Sequence, residues 1–507
     1  MYKLSIGTQS ALNIIGCIIT VVINALINLL LSPYIVENLG VAANGYISLA
    51  NNFISYIALI TIALNSMAGR FILIEFRRGN ILGANEYYSS VLLGDWLLAG
   101  LLFLPMILFV FWIDKFINIE VGYLLDTQIL FALIFFNYMV NLCFPQWRTA
   151  TYCTNNLYLR SFNNAVSAII RALTIYLLFF LFTPHSYYIA VAACVMTIVS
   201  LTMDFWYCKI LMPELSWNIN LFRIKKVKEL LSSGIWNTIS QCGNLLLEGL
   251  DILIANILIN PIASGVLALS KVIPNMINQI TGTIATTYGP RLTYLFADGN
   301  KSGMVDEVKN NMLYVSIIAN LPIGIFLAFG KQFFSLWMPS QDVNQLYWLS
   351  SCSLLGMLFM GITQCVVNIF GVVNKLRYNS LVVIITGVIN ILVVYSLLKF
   401  TNIGIYAIAL VSSIVSIVRI FCFTLPYGAQ CIDASKCVFV IPVLKNAANV
   451  LLPLLIGLLV VKLFPVTTWL LFFLLVGITC FLTALVDYYI ILNSEQRKII
   501  LRLLHLK

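Results

Sequence analysis

Asn237, Gln241, Asn244, Glu248 and Asp251 recur at spacings of four, three, four and three along an otherwise apolar stretch, residues 234–259. On an α-helix that rhythm keeps all five on one side. The stretch is about long enough to cross a bilayer, where a charged side chain near the middle costs about 2.5–3.5 kcal/mol on insertion scales. Such a stripe therefore faces a partner or a watery cavity rather than lipid. The chemistry open to it is ion handling. Desolvation favours the protonated carboxyl, so protonation of Glu248 or Asp251 could track conformation. Asn244 and carbonyls freed nearby could complete an oxygen site for Na+. A stabilising ion pair or a hydrated cavity is the plainer alternative.

Cations stand inside other apolar stretches. Arg171 lies about ten residues into a span beginning near Ser161, on a face with Asn164, Ser167 and Thr174. Lys271 lies in the outer part of the eighth span, aligned with Asn275 and Asn278 and close to an expected kink at Pro274. Arg419 falls toward the cytoplasmic end of the twelfth span. Cations at three depths could pass an anionic group across a bilayer, and arginine's planar fork suits phosphate. Equally, Arg171 or Lys271 could neutralise Glu248 or Asp251 in a buried pair, and Arg419 could snorkel to the interface. Arg70 and Arg291, with Arg148, could line a basic cytoplasmic vestibule or act only as anchors, with Asp95 and Asp204 as their partners. The spacing offers no arrangement of nucleophile, base and orienting group.

The elements that hold these residues follow from composition. Of 507 residues 61% are hydrophobic and 9% charged, against about 25% charged in soluble domains, which makes this an all-α polytopic membrane protein. Hydropathy predicts about fourteen spans, centred near Val22, Ser55, Gly100, Phe135, Leu173, Thr197, Leu246, Asn278, Leu321, Met357, Ile391, Ser412, Leu455 and Ile478. With the N-terminus inside, 21 Lys and Arg, from Lys3 to Lys507, fall in cytoplasmic segments. Only Lys115, Lys331, Lys399 and Lys462 fall outside. That asymmetry predicts an even number of spans and two cytoplasmic termini. The net charge of +10 is then met by the anionic inner leaflet and calls for no nucleic acid. The first apolar run reads as an uncleaved span rather than a signal peptide. Twelve scattered cysteines without a C-x-x-C pair read as small core residues. Trp112, Trp337, Trp348 and Trp469 fall where an outer aromatic belt is expected. No loop has room for a catalytic or nucleotide-binding domain, and Gly299-Asn300-Lys301-Ser302 lacks the phosphate-loop spacing.

The chain also repeats itself at an offset near 220. Ile19-Thr20 with Asn24 matches Ile239-Ser240 with Asn244. Gly45-Tyr46-Ile47-Ser48-Leu49-Ala50 matches Gly265-Val266-Leu267-Ala268-Leu269-Ser270, and Arg70 with Gly79-Asn80 matches Arg291 with Gly299-Asn300. Phe162-Asn163 matches Tyr378-Asn379. Six helices per copy give two parallel-repeat bundles: an N-lobe at 1–220 and a C-lobe at 221–430, with two appended helices at 431–507. A substrate site is then expected at the lobe interface. The basic segment Lys209–Glu229 links the lobes.

Several passages give the chain a family likeness: Asp251-Ile252-Leu253-Ile254 followed by Gly265-Val266-Leu267-Ala268-Leu269; Tyr288-Gly289-Pro290-Arg291-Leu292 with Ala297-Asp298-Gly299-Asn300; and Gly45-Tyr46. Over about the first 430 residues it resembles the Wzx-type polysaccharide-export flippases of the multidrug/oligosaccharidyl-lipid/polysaccharide exporter (MOP) superfamily. The final two helices fit the fourteen-span members. The resemblance implies alternating access between two six-helix bundles in a bacterial inner membrane. It also implies translocation of undecaprenyl-pyrophosphate-linked oligosaccharides for O-antigen, capsule or exopolysaccharide. A polymerase and glycosyltransferases are the implied partners, and no cofactor beyond H+ or Na+ coupling. Arg171, Lys271, Arg419, Arg70, Arg291 and Asn275 would then touch substrate, and Glu248, Asp251 and Asn244 would couple an ion. A cation-coupled multidrug antiporter or a flippase of a lipid II-type precursor are the neighbouring alternatives, and a membrane-embedded polymerase or acyltransferase the alternative of another class.

Overall fold

The computed structural model describes residues 6–286 and 289–491, so Lys3, Tyr288, Arg497, Lys498, Arg502, His505 and Lys507 lie outside the described residues. Within them the regular structure is helical and no strand occurs. All fourteen expected span centres fall inside helices. Eleven helices are long and apolar enough to cross a membrane, or up to twelve if a bent pair is one span. Two features account for the difference from fourteen. Helix Ile6–Arg77 carries both Val22 and Ser55 in one run of 72 residues, broken only at Gly40. Its φ of 84° is a conformation glycine adopts without a Cβ penalty. The eighth centre, Asn278, lies in a span divided at Lys271 into Pro261–Ser270 and Val272–Thr286, each too short alone.

That division corrects the expected kink at Pro274. A proline cannot donate to the carbonyl four residues earlier and its ring crowds that carbonyl, here Ser270. The helix gives way one turn before the proline, which moves Lys271 into the break.

The seventh span departs from a uniform helix in the same way. Helix Ile224–Asn244 runs into a π-turn at Leu245–Gly249 and resumes as Asp251–Leu258, bent by 45°. A π-turn adds a residue to the turn and rotates the helix beyond it by about 100°. The polar stripe therefore splits. Gln241 and Asn244 are exposed and Glu248 half-buried, whereas Asp251 is 1% exposed.

The residues form two compact units, one of 1–272 with 380–408, the other of 273–379 with 409–507. This division follows contacts, whereas the lobes at 1–220 and 221–430 follow the repeat. In the first unit, helix Ile6–Arg77 packs on Leu157–Leu181, Ile224–Asn244 and Pro261–Ser270. Glycines let backbones touch there. A Cβ on Gly234 would stand 2.0 Å from the Ala63 carbonyl oxygen, and one on Gly265 would stand 2.1 Å from that of Val41. A Cβ on Gly45 would stand 2.8 Å from the Gly265 nitrogen. The linker is strapped to helix Ile81–Phe111. Asn85 accepts from the Ser216 amide at 3.0 Å and donates to the Glu214 carbonyl at 3.1 Å, and Ser90 Oγ accepts from the Arg223 amide at 2.9 Å.

Gly234→Ala is expected to lower the thermal midpoint of the purified protein, since overpacking against backbone costs about 1–3 kcal/mol. Gly100→Ala, where a Cβ meets nothing within 4 Å, should leave the midpoint level or raise it, because alanine favours helix.

The second unit is built on helices Lys301–Trp337, Val343–Val372 and Tyr406–Arg419. Its core gathers Met312, Val315, Ile362, Val366, Phe370 and Ile420. Helices Lys301–Trp337 and Trp469–Val486 border an apolar cavity of about 280 Å³ lined by residues including Phe326, Phe329, Phe333 and Phe472. Trp112, Trp348 and Trp469 are exposed as a belt requires, but Trp337 is 5% exposed and stacks on Phe333 at 5.3 Å. It serves the core and not an aromatic belt.

Candidate functional site

The bend in the seventh span releases backbone carbonyls from helical pairing, and three in succession accept side-chain donors. The Leu247 oxygen accepts from Asn390 Nδ2 at 2.9 Å. The Glu248 oxygen accepts from Lys271 Nζ at 3.3 Å. Gly249 accepts from the Tyr56 hydroxyl at 2.6 Å and from Asn52 Nδ2 at 3.3 Å. Unmet carbonyls in a membrane interior cost several kcal/mol each, so irregular backbone persists there only when so satisfied. Four side chains from three segments of the first unit thus converge on one turn.

Lys271 does more than close this turn. Its Nζ also donates to Asp251 Oδ2 in an ion pair whose side chains are 14% and 2% exposed. Of the two alternatives left by spacing, the geometry realises the buried pair for Lys271, with Asp251 rather than Glu248. Among the described residues the Glu248 carboxylate makes no ion pair, and Asn244 Nδ2 donates to Gln241 Oε1 at 3.1 Å. The residues expected to couple an ion are thus spread over two faces by the π-turn. Next to them the loop around Asn118 is fastened to helix Asp251–Leu258. Asn118 and Asn256 exchange hydrogen bonds, Asn118 N to Asn256 Oδ1 at 2.8 Å and Asn256 Nδ2 to the Asn118 carbonyl at 3.1 Å. Spacing gave no signal for this clasp.

Arg171 is placed differently. Its side chain is half-buried on helix Leu157–Leu181, while its Nε is buried and has no hydrogen-bond partner among the described residues. Of the polar residues expected on its face, Thr174 Oγ1 donates to the Ile170 carbonyl at 2.8 Å, Ser167 Oγ donates to Asn163 Oδ1 at 3.1 Å, and Asn164 is exposed.

Asn163 belongs to a second polar cluster. Arg148 Nε meets Asp204 Oδ2 at 3.0 Å, Asn163 Nδ2 donates to Asp204 Oδ1 at 2.7 Å, and Arg148 Nη2 donates to Asn141 Oδ1 at 2.9 Å. Asp204 is thus the partner of Arg148, while Asp95 accepts from Asn65 at 2.7 Å. Arg70 is exposed, and Arg291, also exposed, meets Glu307 at 2.9 Å. Asn275 is exposed beyond the break at Lys271, and Arg419 ends its helix half-buried beside the π-turn Ile420–Thr424. Arg291, Asn275 and Arg419 belong to the second unit.

The chain is a multi-pass membrane protein with the fold of the MOP-superfamily flippases and transporters. It superposes on the lipid II flippase MurJ in an inward closed conformation with a TM-score of 0.69, over 94% of this chain and 99% of that one, at 13% identity. An inward-facing multidrug resistance transporter of the MATE family superposes with a TM-score of 0.63, over 85% of this chain and 96% of that one, at 12% identity. In sequence the chain is similar to the uncharacterized membrane protein EpsK of Bacillus subtilis (strain 168), 27% identical over 412 residues, which is 81% of each protein. No family model matches it.

Proposed function

We propose that this chain is a flippase moving undecaprenyl-pyrophosphate-linked oligosaccharide units from the cytoplasmic to the outer leaflet, for assembly of a surface polysaccharide. The observation that carries the reading is Arg171. A guanidinium permanently charged, within a membrane span and with its Nε unpartnered is a poor structural element and a good receptor for a phosphate group. The substrate supplies the missing acceptor, and its hydrocarbon tail suits the apolar walls that the helices present. Extent favours a flippase over a multidrug antiporter: the MurJ fold takes in 94% of the chain, the MATE fold 85%.

In this reading the lobes at 1–220 and 221–430 rock against each other in a bacterial inner membrane, with both termini cytoplasmic. Gly45 and Gly265, equivalent in the repeat, lie against one another, as residues on a two-fold axis must, which supports that pairing. Glycosyltransferases deliver the substrate and a polymerase consumes it.

Cells lacking the protein are expected to accumulate undecaprenyl-linked repeat units on the cytoplasmic side and to lose surface glycan, measured by lipid extraction and surface labelling. Unaltered surface glycan in a strain without a paralogue would sink the proposal. Raised drug susceptibility with normal glycan would point to the antiporter instead.

A further inference from the structure

We propose that the Lys271 ammonium is a built-in counter-cation: it fills the oxygen site created by the bend in the seventh span and closes Asp251 to metal cations. A carboxylate oxygen beside a carbonyl freed from helical pairing is what a hard monovalent cation seeks. In this chain those oxygens, Asp251 Oδ2 and the Glu248 carbonyl, both receive Lys271 Nζ. The next carbonyl, that of Gly249, is taken by Tyr56 and Asn52, and the previous one, that of Leu247, by Asn390. A diffusing ion finds each of these oxygens already claimed.

Lys271 reaches the site because the eighth span breaks at that residue. The break sets it between Pro261–Ser270 and Val272–Thr286 rather than on a continuous helix face. A tethered cation also competes at a fixed, high local concentration, whatever the salt outside. The groups facing the ammonium are Asp251, the Glu248 carbonyl and, by way of Gly249, the Tyr56 hydroxyl. The inference goes beyond the flippase reading on one point only, the identity of the cation at this carboxylate. It holds or fails whether or not the cargo is a lipid-linked glycan.

The test is the thermal midpoint of the purified full chain in sodium chloride against choline chloride at equal ionic strength. The wild type is expected to give one midpoint in both. Lys271→Ala is expected to melt lower in choline and to recover with Na+ or with acidification, as Asp251 takes up a metal ion or a proton. A wild-type midpoint that rises with Na+ and loses that response in Asp251→Asn overturns the proposal. So does a folded Lys271→Ala protein indifferent to both Na+ and pH. If Lys271→Ala yields no folded protein, the double variant Lys271→Ala with Asp251→Asn decides. Recovery of folded protein supports neutralisation of Asp251 by Lys271, and failure to recover overturns it. Because the readout is melting, failure here leaves the accumulation assay for the flippase reading untouched.

Discussion

Arg171→Ala is expected to abolish glycan export while leaving the protein in the membrane at wild-type abundance. Arg171 stands roughly 21 Å along helix Leu157–Leu181, counting about 1.5 Å per residue. Replacing a guanidinium that has no ion-pair partner among the described residues strands no carboxylate, so the fold loses little. On the proposed function, the loss falls instead on the charged fork that would hold the substrate phosphate. Truncating one side of a desolvated charge pair costs about 2–5 kcal/mol, which at about 1.4 kcal/mol per decade is between about 30-fold and several thousand-fold in affinity. Arg171→Lys separates two contributions. Partial export means that charge suffices, and export near the alanine level means that paired donors are required. Surface glycan measured beside an immunoblot of membranes reads both quantities at once. Full export with alanine would remove Arg171 from the substrate path.

Arg148→Ala should act in the opposite sense, through stability rather than cargo. It removes the ion-pair partner of Asp204, 2% exposed, leaving Asn163 as its hydrogen-bond donor and Arg160 as a nearby charge. Leaving one member of a buried pair uncompensated costs about 3–5 kcal/mol, enough to cut membrane abundance and the thermal midpoint together. Adding Asp204→Asn should restore much of the loss, because the double variant buries no lone charge. A midpoint unmoved by Arg148→Ala would mean that water, not Arg148, solvates that carboxylate. The contrast with Arg171 comes from one difference: Arg148 has a carboxylate in reach and Arg171 has none among the described residues.

Helix existence was legible in the sequence because apolar runs of bilayer length leave no other solution for the backbone. Every expected centre lies in a helix for that reason. Spacing could not carry departure from 100° per residue. The stripe from Asn237 to Asp251 assumes a constant pitch, and the π-turn at Leu245–Gly249 breaks it, sending Asp251 to Lys271 and leaving Asn244 outside. The alignment of Lys271 with Asn275 and Asn278 fails likewise, because the helix breaks between Lys271 and the others. Pro274 announced a break, and its position one turn earlier comes from the carbonyl that proline leaves without a donor. Links between distant segments, such as Asn118 with Asn256 or Tyr56 with Gly249, have no local signature. Asp204 was legible as an arginine's partner by shared depth alone, and depth could not say which arginine.

The glycine contacts of the first unit carry a mechanical consequence. At Gly234 against Ala63, and at Gly45 against Gly265, main chain rests close on main chain, with the Ser264 hydroxyl beside Gly45 and the Val41 methyl beside Gly265. Prising such faces apart unseats few rotamers, and re-closing them demands little search for the right ones. On the proposed function, a joint of that kind can cycle many times with little friction.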